Sequence, residues 1–234
     1  MPQSLPSVLV PGLLCSARLY AEQIPALWPF GSVTVADHRR DDSLEEIAAR
    51  LLANAPAQFA LVGLSMGGYV AFEVLRQAPE RVAKLALLDT GSRADDDARR
   101  VVRDNQIDLA RNGRMAEVFD MLWQVWVHPS RYADATLKEE VEAMGQETGV
   151  DAFVRQQTAL KSRPDSRPGL GAIRCPTLVL VGDSDQSTPP ELSREIAADI
   201  RGSRLVVVAE CGHLSTMERP DAVNRALVEW MGSS

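Results

Sequence analysis

One serine between glycines, a late histidine and a few aspartates are the residues of this sequence best suited to chemistry. Ser65 stands in Gly63-Leu64-Ser65-Met66-Gly67-Gly68, after the apolar run Phe59-Ala60-Leu61-Val62 and before a helix-like segment, Tyr69 to Ala78, that Pro79 closes. Strand, sharp turn and helix are the setting in which Gly-x-Ser-x-Gly forms a nucleophile elbow, with the hydroxyl raised on a strained turn. The positions two before and two after such a serine must lack bulk, and glycine meets that demand. A serine hydroxyl becomes nucleophilic when a base takes its proton, and neutral imidazole suits that task at physiological pH. The chain has three histidines. His38 lies in the polar run Asp37-His38-Arg39-Arg40 and reads as solvated loop. His128 precedes Pro129 at the end of a Trp-rich segment, a helix-end position that would also suit a cavity wall. His213 follows Gly212 just past a strand, where ligands approach an open α/β sheet. The acid that orients the imidazole is Asp185, Asp183 or Asp89, each just past the end of a strand.

Such side chains meet only if several strand ends share one rim. Apolar runs at Ser7–Val10, 32–36, 59–62, 84–88, 177–181 and 204–208 predict strands. A helix with a capping box begins at Ser43, with Glu46 three residues on, and buries Leu44, Ile47, Ala48, Leu51 and Leu52. Helices are also predicted from about Pro189 to Ile200 and from Pro220, where Val223, Ala226, Leu227, Trp230 and Met231 form a stripe. Near-continuous apolar strands alternating with helices predict a mostly parallel, doubly wound α/β sheet covered on both faces.

The alternation breaks between about Gly91 and Pro168. A run of mixed charge, Asp95 to Arg100, opens this stretch. Met115, Val118, Phe119, Leu122, Val125 and Trp126 then mark one helix, Leu137, Val141 and Met144 a second, and Val150, Phe153 and Val154 a third. About seventy residues of helix inside a βα array exceed what one crossover needs, which predicts an inserted cap. The expected division is a core of 1–90 and 169–234 with a helical cap at 91–168.

Composition narrows the function classes. The 234 residues carry a net charge of −7, which argues against nucleic acid as a partner, because a phosphate-binding face needs a basic excess. The pairs Arg39-Arg40 and Arg99-Arg100 sit beside aspartates and read as solvated surface. Cys15, Cys175 and Cys211 are odd in number and widely spaced, as in a reduced protein rather than a disulfide framework. No basic segment precedes the apolar stretch Leu5 to Ala17, and no apolar run is long enough to cross a bilayer. The expectation is a cytoplasmic protein without a membrane partner, monomeric or homodimeric.

The set Gly63-Leu64-Ser65-Met66-Gly67-Gly68, Gly182-x-x-Asp185 and Gly212-His213 resembles the α/β-hydrolase superfamily, over nearly the whole chain from Val8 to Trp230. The order Ser, Asp, His is the one that fold requires. The resemblance implies that Ser65, Asp185 and His213 form the catalytic set, with Asp185 ahead of Asp183. It also implies that the backbone N–H groups of Leu13 and Met66 bind the oxyanion. Two departures stand out. Pro11-Gly12 replaces the usual His-Gly after the first core strand, and Asp37-His38-Arg39-Arg40-Asp41 replaces a Gly-rich turn after the second. The implied activity is a serine hydrolase acting on a small ester, lactone or related acyl substrate, without metal or organic cofactor. The elbow is also similar to those of enol-lactonases and carbon–carbon bond hydrolases of aromatic degradation, which use the same triad, and a cofactor-free perhydrolase or acyltransferase is a further reading. A small-molecule receptor that has lost hydrolysis is the reading from another class. Epoxide hydrolases and dehalogenases would need a carboxylate at position 65. Trp123, Trp126 and His128 are the candidate pocket residues, and Arg103 and Arg155 candidate carboxylate binders.

Overall fold

The computed structural model describes residues 4–233. Six strands, β1 (Ser7–Val10), β2 (Val33–Val35), β3 (Phe59–Leu64), β4 (Val82–Leu88), β5 (Thr177–Gly182) and β6 (Arg204–Val208), form one sheet in the order β2-β1-β3-β4-β5-β6. Every neighbouring pair is parallel. Strands β1, β3 and β5 are buried along their whole length, as unbroken apolar runs require, while the edge strands β2 and β6 are partly exposed. The chain runs from β1 outward to β2, then returns past β1 to β3 and continues to β6. Right-handed crossovers therefore place α1 (Gln23–Leu27) on one face and α2 (Leu44–Asn54) and α3 (Met66–Gln77) on the other.

The carboxyl ends of the strands are level. Val10 stands beside Gly63, Leu64 beside Leu88, Leu88 beside Leu180 and Gly182 beside Val208. Loops leaving these ends meet at one rim, beside the point where strand order reverses, and that is where open α/β sheets bind ligands.

Between β4 and β5 lie only helices: α4 (Asp97–Arg111), α5 (Met115–Trp126), α6 (Ala135–Thr148), α7 (Val150–Lys161) and the short α8 (Arg167–Leu170). Helix α5 buries Val118, Phe119, Leu122, Trp123 and Trp126, and α6 buries Leu137, Val141 and Met144, on the stripes the sequence displays. The charged run at 95–100 holds the capped start of α4, a fifteen-residue helix, with Asp96 Oδ1 accepting from Arg99 N at 2.8 Å. Two contacts tie this helical insert to the rim. Trp126 O accepts from His213 N at 2.8 Å and from Leu214 N at 3.1 Å, and Gln156 Oε1 accepts from Leu14 N at 2.9 Å. The chain closes with α9 (Pro190–Asp199), α10 (Ser215–Glu218) and α11 (Pro220–Gly232). Helix α11 buries Val223, Ala226, Leu227, Trp230 and Met231 and packs against α1 and β5.

Candidate active site

Ser65 links β3 directly to α3, with φ 54° and ψ −112°. This backbone region is costly for a residue with a side chain and persists only where the surroundings enforce it. Three bonds do so here. Ser65 N donates to Leu88 O at 2.9 Å, Gly68 N donates to Ser65 O at 2.9 Å, and Thr90 Oγ1 donates to the same oxygen at 2.8 Å. The turn is tight enough that a Cβ on Gly63 would lie 2.3 Å from Gly67 O, and one on Gly67 would lie 1.9 Å from Val10 O. Both obstacles are backbone atoms that cannot swing away. Gly67→Ala is expected to destabilise the fold by more than about 3 kcal/mol, read as a lowered urea midpoint.

His213 Nε2 is 2.9 Å from Ser65 Oγ, and its Nδ1 is 2.8 Å from Asp185 Oδ2. A carboxylate only accepts, so Nδ1 carries the ring proton and Nε2 is left to accept from the serine hydroxyl. Asp185 is itself held. Its Oδ1 accepts from Ser187 N at 2.8 Å and Thr188 N at 2.9 Å, and its Oδ2 accepts from Thr188 Oγ1 at 2.7 Å. Asp183 is engaged elsewhere, accepting from Glu210 N at 3.0 Å and Cys211 N at 3.2 Å. Asp89 is fully buried and accepts from Gly182 N at 3.0 Å and from Ser215 Oγ. Burial, with the charge of Asp185 nearby, pushes the Asp89 carboxyl well above the usual carboxylate range. Neither Asp183 nor Asp89 bonds the imidazole.

Gly12 brings the loop after β1 against the elbow, since a Cβ there would be 3.5 Å from Ser65 Cβ. Leu13 N–H makes no hydrogen bond among the described residues. Met66 is the first residue of α3, so its N–H has no partner inside the helix. The Gly12 carbonyl, part of the same peptide unit as Leu13 N–H, accepts from His38 Nε2 at 2.9 Å and from Cys15 N at 3.2 Å. His38 is therefore not a solvated loop residue. It is buried at 2% exposure, and that burial pushes its imidazole pKa down, toward the neutral form.

The profile of the alpha/beta hydrolase family matches residues 8–226. The chain belongs to the alpha/beta hydrolase family. Among solved structures, a thermophilic esterase from Thermogutta terrifontis is 29% identical with a TM-score of 0.89, over 97% of this chain and 89% of the other. The enol-lactonase of Burkholderia xenovorans LB400 superposes with a TM-score of 0.90 at 23% identity, over 99% of this hydrolase and 92% of the other chain. A bromoperoxidase from Bacillus anthracis gives a TM-score of 0.85 at 20% identity, covering 99% and 93%. At such identities the last two likenesses show the fold alone.

Beside Ser65 and His213 this hydrolase has a cavity of about 200 Å³, walled by Leu13, Leu122, Trp126 and polar residues of α4. Of the three pocket residues expected from sequence, only Trp126 lines it. Trp123 instead donates its indole N–H to Tyr132 O at 3.3 Å and stacks on Phe119. The His128 ring bonds Ser130 Oγ at 2.7 Å, while its backbone N–H donates to Glu218 at 2.8 Å. Arg155 lies away from the cavity and donates to Arg39 O at 2.9 Å. Arg99, expected as solvated surface, does line the cavity, and so does Arg103.

Two supporting residues escaped the sequence reading. Thr188 clamps Asp185, as described above. The buried Glu218 accepts from Gly212 N at 3.0 Å and from His128 N, so one carboxyl ties the His213 loop to the helical insert. A Thr three residues past an Asp, and a Glu five past a His, carry no signal in sequence beyond their polarity. Among the described residues no three His, Cys, Asp or Glu side chains gather as a metal ion would need. No described helix is long and apolar enough to cross a membrane.

Proposed function

We propose that this alpha/beta hydrolase is a serine hydrolase that cleaves small carboxylic esters or lactones through an acyl-enzyme. The observation that carries the reading is the unbroken line from Ser65 Oγ through His213 to Asp185, on a strained elbow beside the free N–H of Leu13. In this scheme Ser65 Oγ attacks the substrate carbonyl while His213 Nε2 takes its proton. The oxygen that gains negative charge is held by the N–H groups of Leu13 and Met66, the latter at the positive end of α3. His213 then protonates the leaving alkoxide, activates a water against the acyl-enzyme, and returns the proton to Ser65. Asp185 holds the tautomer and balances the imidazolium. The helical insert is read as a cap whose α4 and α5 form the substrate-facing wall.

A fluorophosphonate probe tests the reading. Its expected product is a single adduct on Ser65, located by peptide mass spectrometry and absent from Ser65→Ala. Intact unlabelled protein at a large probe excess would refute an activated serine, leaving a receptor.

Activity should also follow the ionisation of His213. Burial alone pushes this imidazole pKa down, but the charge and hydrogen bond of Asp185 outweigh it, and the net direction is up. The base works only when neutral. A raised pKa keeps it protonated to higher pH, so kcat/KM is expected to fall on the acid side with a midpoint above the ordinary imidazole value of about 6.5. A pH profile on an uncharged ester checks this.

A further inference from the structure

The cavity wall opposite the hydrophobic residues is unusual for an uncharged ester. It is formed by Arg99, Arg103 and Gln106, with Val102 between them, along one face of α4. Arg103 is only 15% exposed and shares the buried carboxylate of Asp95 with Arg163. Its Nε lies 2.5 Å from Oδ2, and Arg163 Nη2 lies 2.6 Å from Oδ1. Arg103 Nη1 donates to Gln157 Oε1 at 2.7 Å, and Gln157 Nε2 donates to Gln106 Oε1 at 2.7 Å. This chain of bonds uses the acceptor oxygen of Gln106 and leaves its Nε2 donor free. Arg103 Nη2 is likewise without a hydrogen bond among the described residues. Arg99 has no carboxylate partner there either; its Nη2 donates to Ser187 O at 3.2 Å.

Nearby acids do not neutralise this wall. Asp96 caps α4, Asp97 pairs with Arg100 and Asp104 with Lys161. Asp185 faces His213 and its own loop amides. Three guanidinium groups thus stand against one dedicated carboxylate, Asp95, in a chain whose overall charge is −7. Guanidinium groups withdrawn from water are costly unless an anion with acceptor oxygens meets them. A wall of free donors without free acceptors selects an acceptor-only group, and a planar carboxylate matches the guanidinium fork.

We propose that the substrate of this site carries a carboxylate besides the bond to be cleaved, held by Arg99, Arg103 and Gln106. The inference rests on the serine-hydrolase reading of the same site. It makes α4 the specificity element, with the carboxylate anchored in the cavity while the ester carbonyl reaches Ser65.

The test compares charged esters with neutral esters in which a methyl group replaces the carboxylate, followed by pH-stat titration. Ethyl half-esters of malonic, succinic, glutaric and adipic acid are set against ethyl propanoate, butanoate, pentanoate and hexanoate, placing the charge in the acyl part. O-Acetyl glycolate and O-acetyl lactate against ethyl and isopropyl acetate place it in the alcohol part. At least one charged ester is expected to exceed its neutral partner at least tenfold in kcat/KM, and Arg99→Gln is expected to reduce that ratio at least tenfold. Arg103→Gln should do the same, but its bond to buried Asp95 makes folding of that variant less secure, so Arg99→Gln decides. Ser65-dependent hydrolysis with no charged ester preferred in either series, or a preference that Arg99→Gln leaves intact, would overturn the carboxylate inference alone. Absence of Ser65-dependent hydrolysis of every ester, with no probe adduct, would overturn the serine reading as well.

Discussion

Ser65→Ala is expected to lower kcat on the best ester by about a millionfold, the loss seen when the nucleophile is removed from a set of residues that act as one unit. KM should change little, because the cavity residues and the N–H groups of Leu13 and Met66 are untouched. The fold should survive. The bonds that enforce the elbow run through the backbone of Ser65, to Leu88 and Thr90, and alanine keeps both. Retained near-ultraviolet circular dichroism together with lost turnover is the informative result. Turnover within tenfold of the parent would mean that another group attacks the substrate.

Asp185→Asn is expected to lower kcat by about ten-thousandfold, through the tautomer of His213 rather than through its position. The surroundings dictate how the new amide sits. Ser187 N–H and Thr188 N–H both point at Oδ1, so the amide oxygen must occupy that place. Its NH2 then faces His213 Nδ1, where the carboxylate oxygen had been. An NH2 donates, so Nδ1 becomes the acceptor and the ring proton moves to Nε2, which can no longer take the proton of Ser65. The same change removes the charge that raises the imidazole pKa, so the acid limb of the residual activity should move to lower pH. A drop in kcat without that movement would point to mispositioning instead.

Much of the architecture was legible because it rests on patterns that hydrophobic burial writes directly. Strands β3 and β5 are buried on both faces and read as unbroken apolar runs, and α5, α6 and α11 show their buried stripes. Helix α4 was missed for the converse reason. Its only buried apolar residues are Ile107 and Ala110, and the face toward the cavity carries Arg99, Arg103 and Gln106 beside the exposed Val102, so no stripe marks it. The polar run around His38 was misread because its neighbours are partly or fully exposed while this one ring turns inward to a carbonyl. Trp123 and Trp126 are three residues apart and both buried on α5. Which of them reaches the cavity depends on how the helix end docks against the His213 loop, and that docking runs through the Trp126 carbonyl. Asp183 and Asp185 are separated by one residue, and residue type cannot choose between them. The structure separates them by backbone: the β6 loop amides take Asp183, and the imidazole faces Asp185.

The bond from His38 to Gly12 reaches further than the loop it fixes. A peptide is a conjugated unit, so electron density drawn toward its oxygen leaves the nitrogen at the other end poorer, and its proton carries more positive charge. The imidazole and Cys15 N–H both draw on that oxygen, and the proton so sharpened is that of Leu13. A ring from the loop after β2 thus acts electronically across one amide bond, on the side of the serine it never touches.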